Sequence, residues 1–301
     1  MVAEQNATTS DPNSGSWSKY VTTREGLLMQ IYLAPRTLKG TQKPDGETQA
    51  LFAVQPNRKA LLFIHGFSGE AITTWSDFHT ILPECPKCSG YDLFFYGYDG
   101  LRAQMNASAA IFRSFVDRLL GQTQEFLAAN LPPSAQRPTS FEYDELVIVA
   151  HSLGAVIARR ALLDGTRGKL KWVSRTKLVL YAPAHMGARV ADLALEAASS
   201  FKFLRFFGIG ARFVSPLIDE LKPDSRALKS LLEDTATATK GGANPHLIAK
   251  KVVIAQYEKI VENGTFGDDP PPDAIPGTTH TSVCKPRKDF LDPLTLLEAC
   301  L

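Results

Sequence analysis

The chain is short of cysteine, of long apolar runs and of net charge, and each shortage removes a class of protein. Four cysteines among 301 residues are too few for a disulfide scaffold. Cys85-Pro86-Lys87-Cys88 has the spacing of half a zinc site or of a redox pair. Only Cys284 and Cys300 remain to complete a four-sulfur set, and neither lies in a second Cys-x-x-Cys. A surface loop with incidental thiols is therefore expected, with no metal and a cytoplasmic location. No run of about 18 apolar residues occurs, so no transmembrane segment is expected. Met1 to Ser18 is polar and lacks the apolar core of a secretory signal or anchor, which predicts a disordered tail ahead of a domain from residue 19 to 301. The formal net charge of +2 gives no reason to expect nucleic acid. Arg159, Arg160, Arg167, Lys169, Lys171, Arg175 and Lys177 cluster in sequence and read as a solvated helix face and loop.

What is present is the composition of a globular protein. Hydrophobic residues make up 44% and charged residues 21%, enough apolar side chain for a sizeable core. Leu27 to Ala34 and Leu51 to Val54 read as short strands around a polar connection, Lys39 to Glu47. Ala60 to Ile64 is a continuous apolar run, as in a strand buried on both faces of a parallel sheet. Tyr91 to Tyr96 reads as another strand, and Met105 to Asn130 carries Ile111, Phe115, Leu119, Leu120, Phe126 and Leu127 at helical spacing. A strand at Leu146 to Ala150, a helix from Leu153 to about Leu163 and a strand at Lys177 to Ala182 follow. The alternation predicts an α/β fold, a mostly parallel sheet with helices on both faces. From about Gly187 to Pro245 it breaks into short helical stretches separated by Gly and Pro, then resumes with a strand at Lys251 to Tyr257.

The junction Ala150-His151-Ser152-Leu153-Gly154 is the most informative segment. A β-branched run ends there and a helical pattern begins at once, with a serine at the apex. Such a sharp turn drives the serine towards a sparsely allowed backbone region and demands small residues two positions before and after. Ala150 and Gly154 supply them. A serine capping a helix after a buried strand would share part of this pattern. An unassisted hydroxyl is a poor nucleophile, so the geometry matters only if a base and an oxyanion site exist elsewhere.

The segment resembles the nucleophile elbow of the α/β-hydrolase superfamily, written Gly-x-Ser-x-Gly, with Ala150 in place of the first glycine. The likeness extends to His65-Gly66-Phe67-Ser68-Gly69 with Trp75 beyond it, to Tyr91 through Tyr98, and to His280 through Lys285-Pro286. Together these are similar to a lipase-like branch containing the serine-active-site and GPI-inositol-deacylase-related hydrolases. Leu221 to Leu228 is similar to a cap segment of that branch, and the resemblance implies a helical cap inserted at about 187–245.

Several expectations follow from that resemblance. Ser152 would be the nucleophile, and the amides of Phe67 and Leu153 the oxyanion donors. The superfamily order of nucleophile, acid and base sets aside His65 and His79 as the base. His151 sits beside Ser152, where it cannot easily turn back to it. His185, His246 and His280 remain, with His280 the best placed in a late polar loop. Glu258, directly after the strand at 251–257, would be the acid, with Asp268, Asp269 and Asp219 as alternatives. Phe201, Phe203, Phe206, Phe207 and Phe213 lie in the insertion; their rings would pack against the main sheet or form the inner face of the cap, where Phe203, Phe206 and Phe207 would bind an apolar part of the substrate. The implied activity is hydrolysis of carboxylic esters, lipid or acyl esters among them, by an esterase or lipase needing no cofactor. A thioesterase, an acyltransferase, a peptidase or a non-catalytic binding module would use the same residues.

Overall fold

The computed structural model describes residues 19–24, 27–33, 36–39, 47–100, 104–189, 192, 219–262 and 264–301. Strands β1 (Lys19–Arg24) and β2 (Leu27–Leu33) form an antiparallel pair of their own. The main sheet comprises β3 (Arg36–Thr37), β4 (Gln49–Leu51), β5 (Lys59–Ile64), β6 (Asp92–Tyr96), β7 (Glu145–His151), β8 (Thr176–Tyr181), β9 (Ala249–Ala255) and β10 (Asp273–Ile275). Their spatial order is β3-β4-β6-β5-β7-β8-β9-β10. Only β4 opposes the others; every pair from β6 to β10 is parallel.

The five central strands β5 to β9 explain the apolar runs. In β5, β6 and β7 nearly every side chain is buried, because helices cover both faces. The pleat sends Phe94 and Phe95 to opposite sides. On one side Phe94 meets Phe126 of helix α3 (Thr123–Asn130), while Tyr96 meets Phe112 and Phe115 of α2 (Met105–Gly121). On the other, Phe63 stacks on Phe95 at 4.8 Å and meets Trp75 and Phe78, the latter in the short helix α1 (Phe78–Ile81). Helix α4 (Leu153–Arg167) follows β7, α5 (Arg226–Thr239) precedes β9, and α6 (Asp292–Glu298) follows β10. This topology is that of the α/β-hydrolase fold, as the sequence resemblance implied.

Four local expectations are corrected. Strand β4 ends at Leu51 because the Ala53 amide leaves the ladder and donates to the buried Asp92 carboxylate at 2.7 Å. The helix expected over 105–130 breaks at Gln122, whose φ of −129° is not helical, so α2 and α3 are separate. The basic cluster is not wholly solvated. Arg159 is 1% exposed and ion-paired with Asp269, because α4 turns this residue inward. The Cys85 and Cys88 thiols are buried, not on the surface, with their sulfurs 2.9 Å apart. Cys85 also donates to Glu298 of α6. Residues 1–18, the insertion's five phenylalanines and its centre lie outside the described residues.

The chain passes from β5 to β6 on one side and to β7 on the other. At such a switch point in strand order a crevice opens beyond the carboxyl ends of the strands. The loop after β5 and the elbow after β7 meet there. Helix α4 lies so close to β5 that a Cβ on Gly154 would stand 2.4 Å from the carbonyl oxygens of Ile64 and His65. Alanine is a better helix former than glycine by up to about 1 kcal/mol. Gly154→Ala is nevertheless expected to destabilise the fold by about 1–3 kcal/mol, because backbone atoms must move apart. Urea unfolding checks this; an unchanged or higher midpoint would mean that α4 can lift from β5 without cost.

Candidate active site

Ser152 sits at φ 54° and ψ −122°, a conformation rarely adopted by a residue with a side chain. Neighbouring backbone holds it there. Its amide donates to Tyr181 O at 3.0 Å, and its carbonyl accepts from Ala155 at 3.1 Å and Ala184 at 3.2 Å. Strain of this kind costs on the order of 1–3 kcal/mol and persists only where surroundings over-determine it. A Cβ on Gly66 would lie 2.7 Å from the Ser152 Cβ, so glycine is required for the β5 loop to approach the elbow.

The late polar loop brings His280 to this serine across 128 residues of sequence, and His280 Nε2 lies 3.0 Å from Ser152 Oγ. The loop is tethered by Tyr257 N to Thr278 O at 2.9 Å and by Thr278 Oγ1 to Ile275 O at 2.6 Å. His280 Nδ1 is 3.1 Å from Glu258 Oε2. With a carboxylate facing Nδ1, the proton belongs on Nδ1 and Nε2 is left to accept from the serine hydroxyl. Glu258 Oε1 accepts from the amides of Ile260 and Val261 at 2.9 and 3.1 Å. The side chains of His280 and Glu258 are 3% and 1% exposed, and Ser152 is buried. Burial raises the Glu258 pKa, but His280 and the two amides outweigh it and leave the carboxyl below its ordinary value.

Phe67 and Leu153 lie on the two loops that meet at the crevice, at the end of β5 and the start of α4. Both residues are buried, and among the described residues neither amide has a hydrogen-bond acceptor. Buried N–H groups without partners are rare. The Leu153 amide also stands at the positive end of α4.

The other histidines are engaged elsewhere. His65 stacks on Tyr98, His79 bonds Ser76 O, and His246 bonds Thr166 Oγ1. His185 receives Arg159 Nε at 3.4 Å. The alternative acids are also occupied: Asp268 accepts from Thr239 Oγ1, Asp269 pairs with Arg159, and Asp219 pairs with Lys222 on the surface. Phe203, Phe206 and Phe207 lie outside the described residues. Among the described residues no cluster of His, Cys, Asp or Glu could hold a metal ion, and no helix is long and apolar enough to cross a membrane.

Sequence reasoning missed the placement of His151. Its Nε2 lies 2.9 Å from the His280 carbonyl oxygen. No local pattern could signal this, because the partner is 129 residues away.

No family model matches the chain. The mouse (Mus musculus) protein SERAC1 is 25% identical over 287 residues, covering 82% of this chain and 39% of that protein. The chain thus spans about two fifths of the length of the curated relative it matches. Among solved structures it is similar to the peroxisomal α/β-hydrolase Lpx1 of Saccharomyces cerevisiae, at 10% identity and a TM-score of 0.49, over 95% of this chain and 86% of that one. It is also similar to the Bacillus licheniformis lipase BlEst2 in its mature form, at 14% identity and a TM-score of 0.45, over 88% and 96%.

Two buried histidines make stability depend on pH. Burial first, then the charges of His280 and Lys285, holds His151 well below the ordinary histidine value of 6.5. Burial and Arg159 do the same for His185. The unfolded chain therefore binds more protons below pH 6.5, so this stability is complete above 6.5 and lost as pH falls. Each group can cost up to about 1.4 kcal/mol per pH unit in that window. The depressed Glu258 carboxyl adds a further loss only below its ordinary 4.5. Thermal unfolding is expected to show a midpoint falling steadily from pH 7 to 5; a flat profile would contradict the neutral, buried state of both rings.

Proposed function

We propose that this protein is a serine hydrolase that cleaves carboxylic esters through an acyl-enzyme. The observation that carries the reading is the hydrogen-bonded series Ser152–His280–Glu258 beside two buried, unpartnered amides. His280 Nε2 takes the Ser152 proton as Oγ attacks the ester carbonyl. Glu258 keeps the ring oriented and stabilises the imidazolium that forms, remaining ionised throughout. The amides of Phe67 and Leu153 donate to the oxyanion, each contributing about 3–4 kcal/mol of barrier lowering. They are already fixed by backbone, so they need no reorganisation when charge develops. His280 then returns the proton to the leaving alcohol, and water attacks the acyl-enzyme by the same route in reverse. No cofactor enters these steps.

The substrate part of the reading rests on the sequence of the insertion. Phe203, Phe206 and Phe207 are apolar side chains of the kind that would suit an acyl chain, whose burial is favourable in proportion to area and undemanding of direction. A lipid or acyl ester fits that chemistry better than a small polar ester.

A fluorophosphonate probe is expected to label the wild-type protein and to fail on Ser152→Ala. Ser152→Ala and His280→Ala should lower kcat/KM by at least about 10⁴-fold, and Glu258→Gln by about 10³–10⁴-fold, the scale seen when such a series is broken. A panel of ester, thioester and amide substrates should show esters ahead; thioesters or amides ahead would replace the esterase by a thioesterase or peptidase. Absence of both labelling and turnover would leave only a binding module. Turnover confined to acetate and butyrate among p-nitrophenyl esters would remove the acyl-chain role of the three phenylalanines.

A further inference from the structure

His151 is a positioning residue as well as a neighbour of the serine. We propose that its Nε2–H fixes the backbone of His280, and thereby the direction in which the imidazole faces Ser152; the functional part of this rests on the serine-hydrolase reading. His151 Nε2 lies 2.9 Å from the His280 carbonyl oxygen. A carbonyl only accepts, so Nε2 carries the proton and the neutral ring leaves Nδ1 bare. That Nδ1 is buried and has no partner. The ring is thus committed to the single bond that holds His280.

The surroundings crowd the His151 ring. It is 5% exposed, with Trp75 edge-on at 6.4 Å and the His280 ring tilted against it at 4.9 Å. A Cβ on Gly66 would stand 3.2 Å from His151 Nδ1, so the β5 loop presses on the same ring. His151 is the last residue of β7 and Ser152 the next in the chain. The nucleophile's own strand end therefore carries the clamp on its base. The His280 side chain hangs from the Cα next to the clamped carbonyl, and its ring is held by the Glu258 bond at 3.1 Å on one side and faces Ser152 Oγ at 3.0 Å on the other. The backbone clamp and the Nδ1 bond together aim Nε2 at Ser152 Oγ; without the clamp the ring can pivot about its bond to Glu258. Burial helps by keeping His151 uncharged beside a ring that becomes cationic in the reaction.

The test compares His151→Phe, which keeps a ring and loses the donor, with His151→Gln, whose amide can donate near the Nε2 position. His151→Asn, polar but too short to reach the carbonyl, replaces the Phe variant if that does not fold. Active sites are counted by fluorophosphonate titration, so that misfolded protein is not mistaken for slow protein. Per active site, kcat is expected to fall about 10–100-fold in His151→Phe with KM within about threefold, the scale of a misplacement near 1 Å. His151→Gln should recover most of that loss. A His151→Phe or His151→Asn enzyme with kcat per site within about twofold of wild type overturns the proposal, as does an equal loss in His151→Gln.

The downfield proton resonance of His280 Nδ1–H provides a readout without substrate. It is expected to broaden or vanish in His151→Phe and to persist in His151→Gln. If the wild type proves inactive yet shows this pattern, the hydrolase reading fails and the clamp stands. A resonance unchanged in all variants removes the clamp whatever the activity.

Discussion

The first turn of α4 lies against two carbonyl groups at the end of β5, and the polar chemistry at this end of the sheet depends on that contact. Gly154 permits it, because any side-chain carbon there would meet the Ile64 and His65 oxygens at 2.4 Å. The closeness leaves no length for a relaxed loop between β7 and α4. Ser152 must therefore turn at a positive φ, its hydroxyl raised above the strand end. The same contact brings the Gly66–Phe67 segment beside the elbow, and with it the second free amide. A strained serine and two unpaired donors are costs to the fold, borne by the hydrogen bonds and packing of five central strands.

Charge is distributed around the site by the same logic. The Glu258 side chain is shielded from solvent yet stays ionised, because one oxygen faces His280 and the other takes two backbone amides. Asp269, also shielded and close in sequence, is consumed by Arg159 and by the Ala249 amide. Two carboxylates eleven positions apart thus take separate tasks, set by which donors the fold presents. Arg159 also lies over Phe266 and donates to Leu247 O, so it ties α4 to the chain entering and leaving β9. A cation placed there holds the segment that carries Glu258 without itself reaching His280.

Much of the architecture was legible because parallel strands covered on both faces must be continuously apolar. Ala60–Ile64 and Leu146–Ala150 therefore stood out, and the helix after Ser152 followed from its pattern. Edges and breaks were less legible. β4 stops at Leu51 since a carboxylate 39 residues away captures the Ala53 amide. Gln122 interrupts a pattern whose apolar spacing continues unbroken through it. Arg159 read as solvated, because nothing beside it in sequence announces Asp269.

The sequence by itself determined the strand–serine–helix junction, the alternation that builds a parallel sheet, and the small set of histidines and carboxylates able to serve Ser152. Those are local matters, settled by sterics and periodicity within a few residues. Tertiary structure alone decided which of them meet. His280 reaches Ser152 and Glu258 reaches His280, Asp269 goes to Arg159, and His151 turns to the His280 carbonyl. A hydrogen bond is decided by distances of a few tenths of an ångström, here between groups 22 to 129 residues apart. Only the packed sheet, with its fixed strand order and its closely seated α4, brings them to that precision.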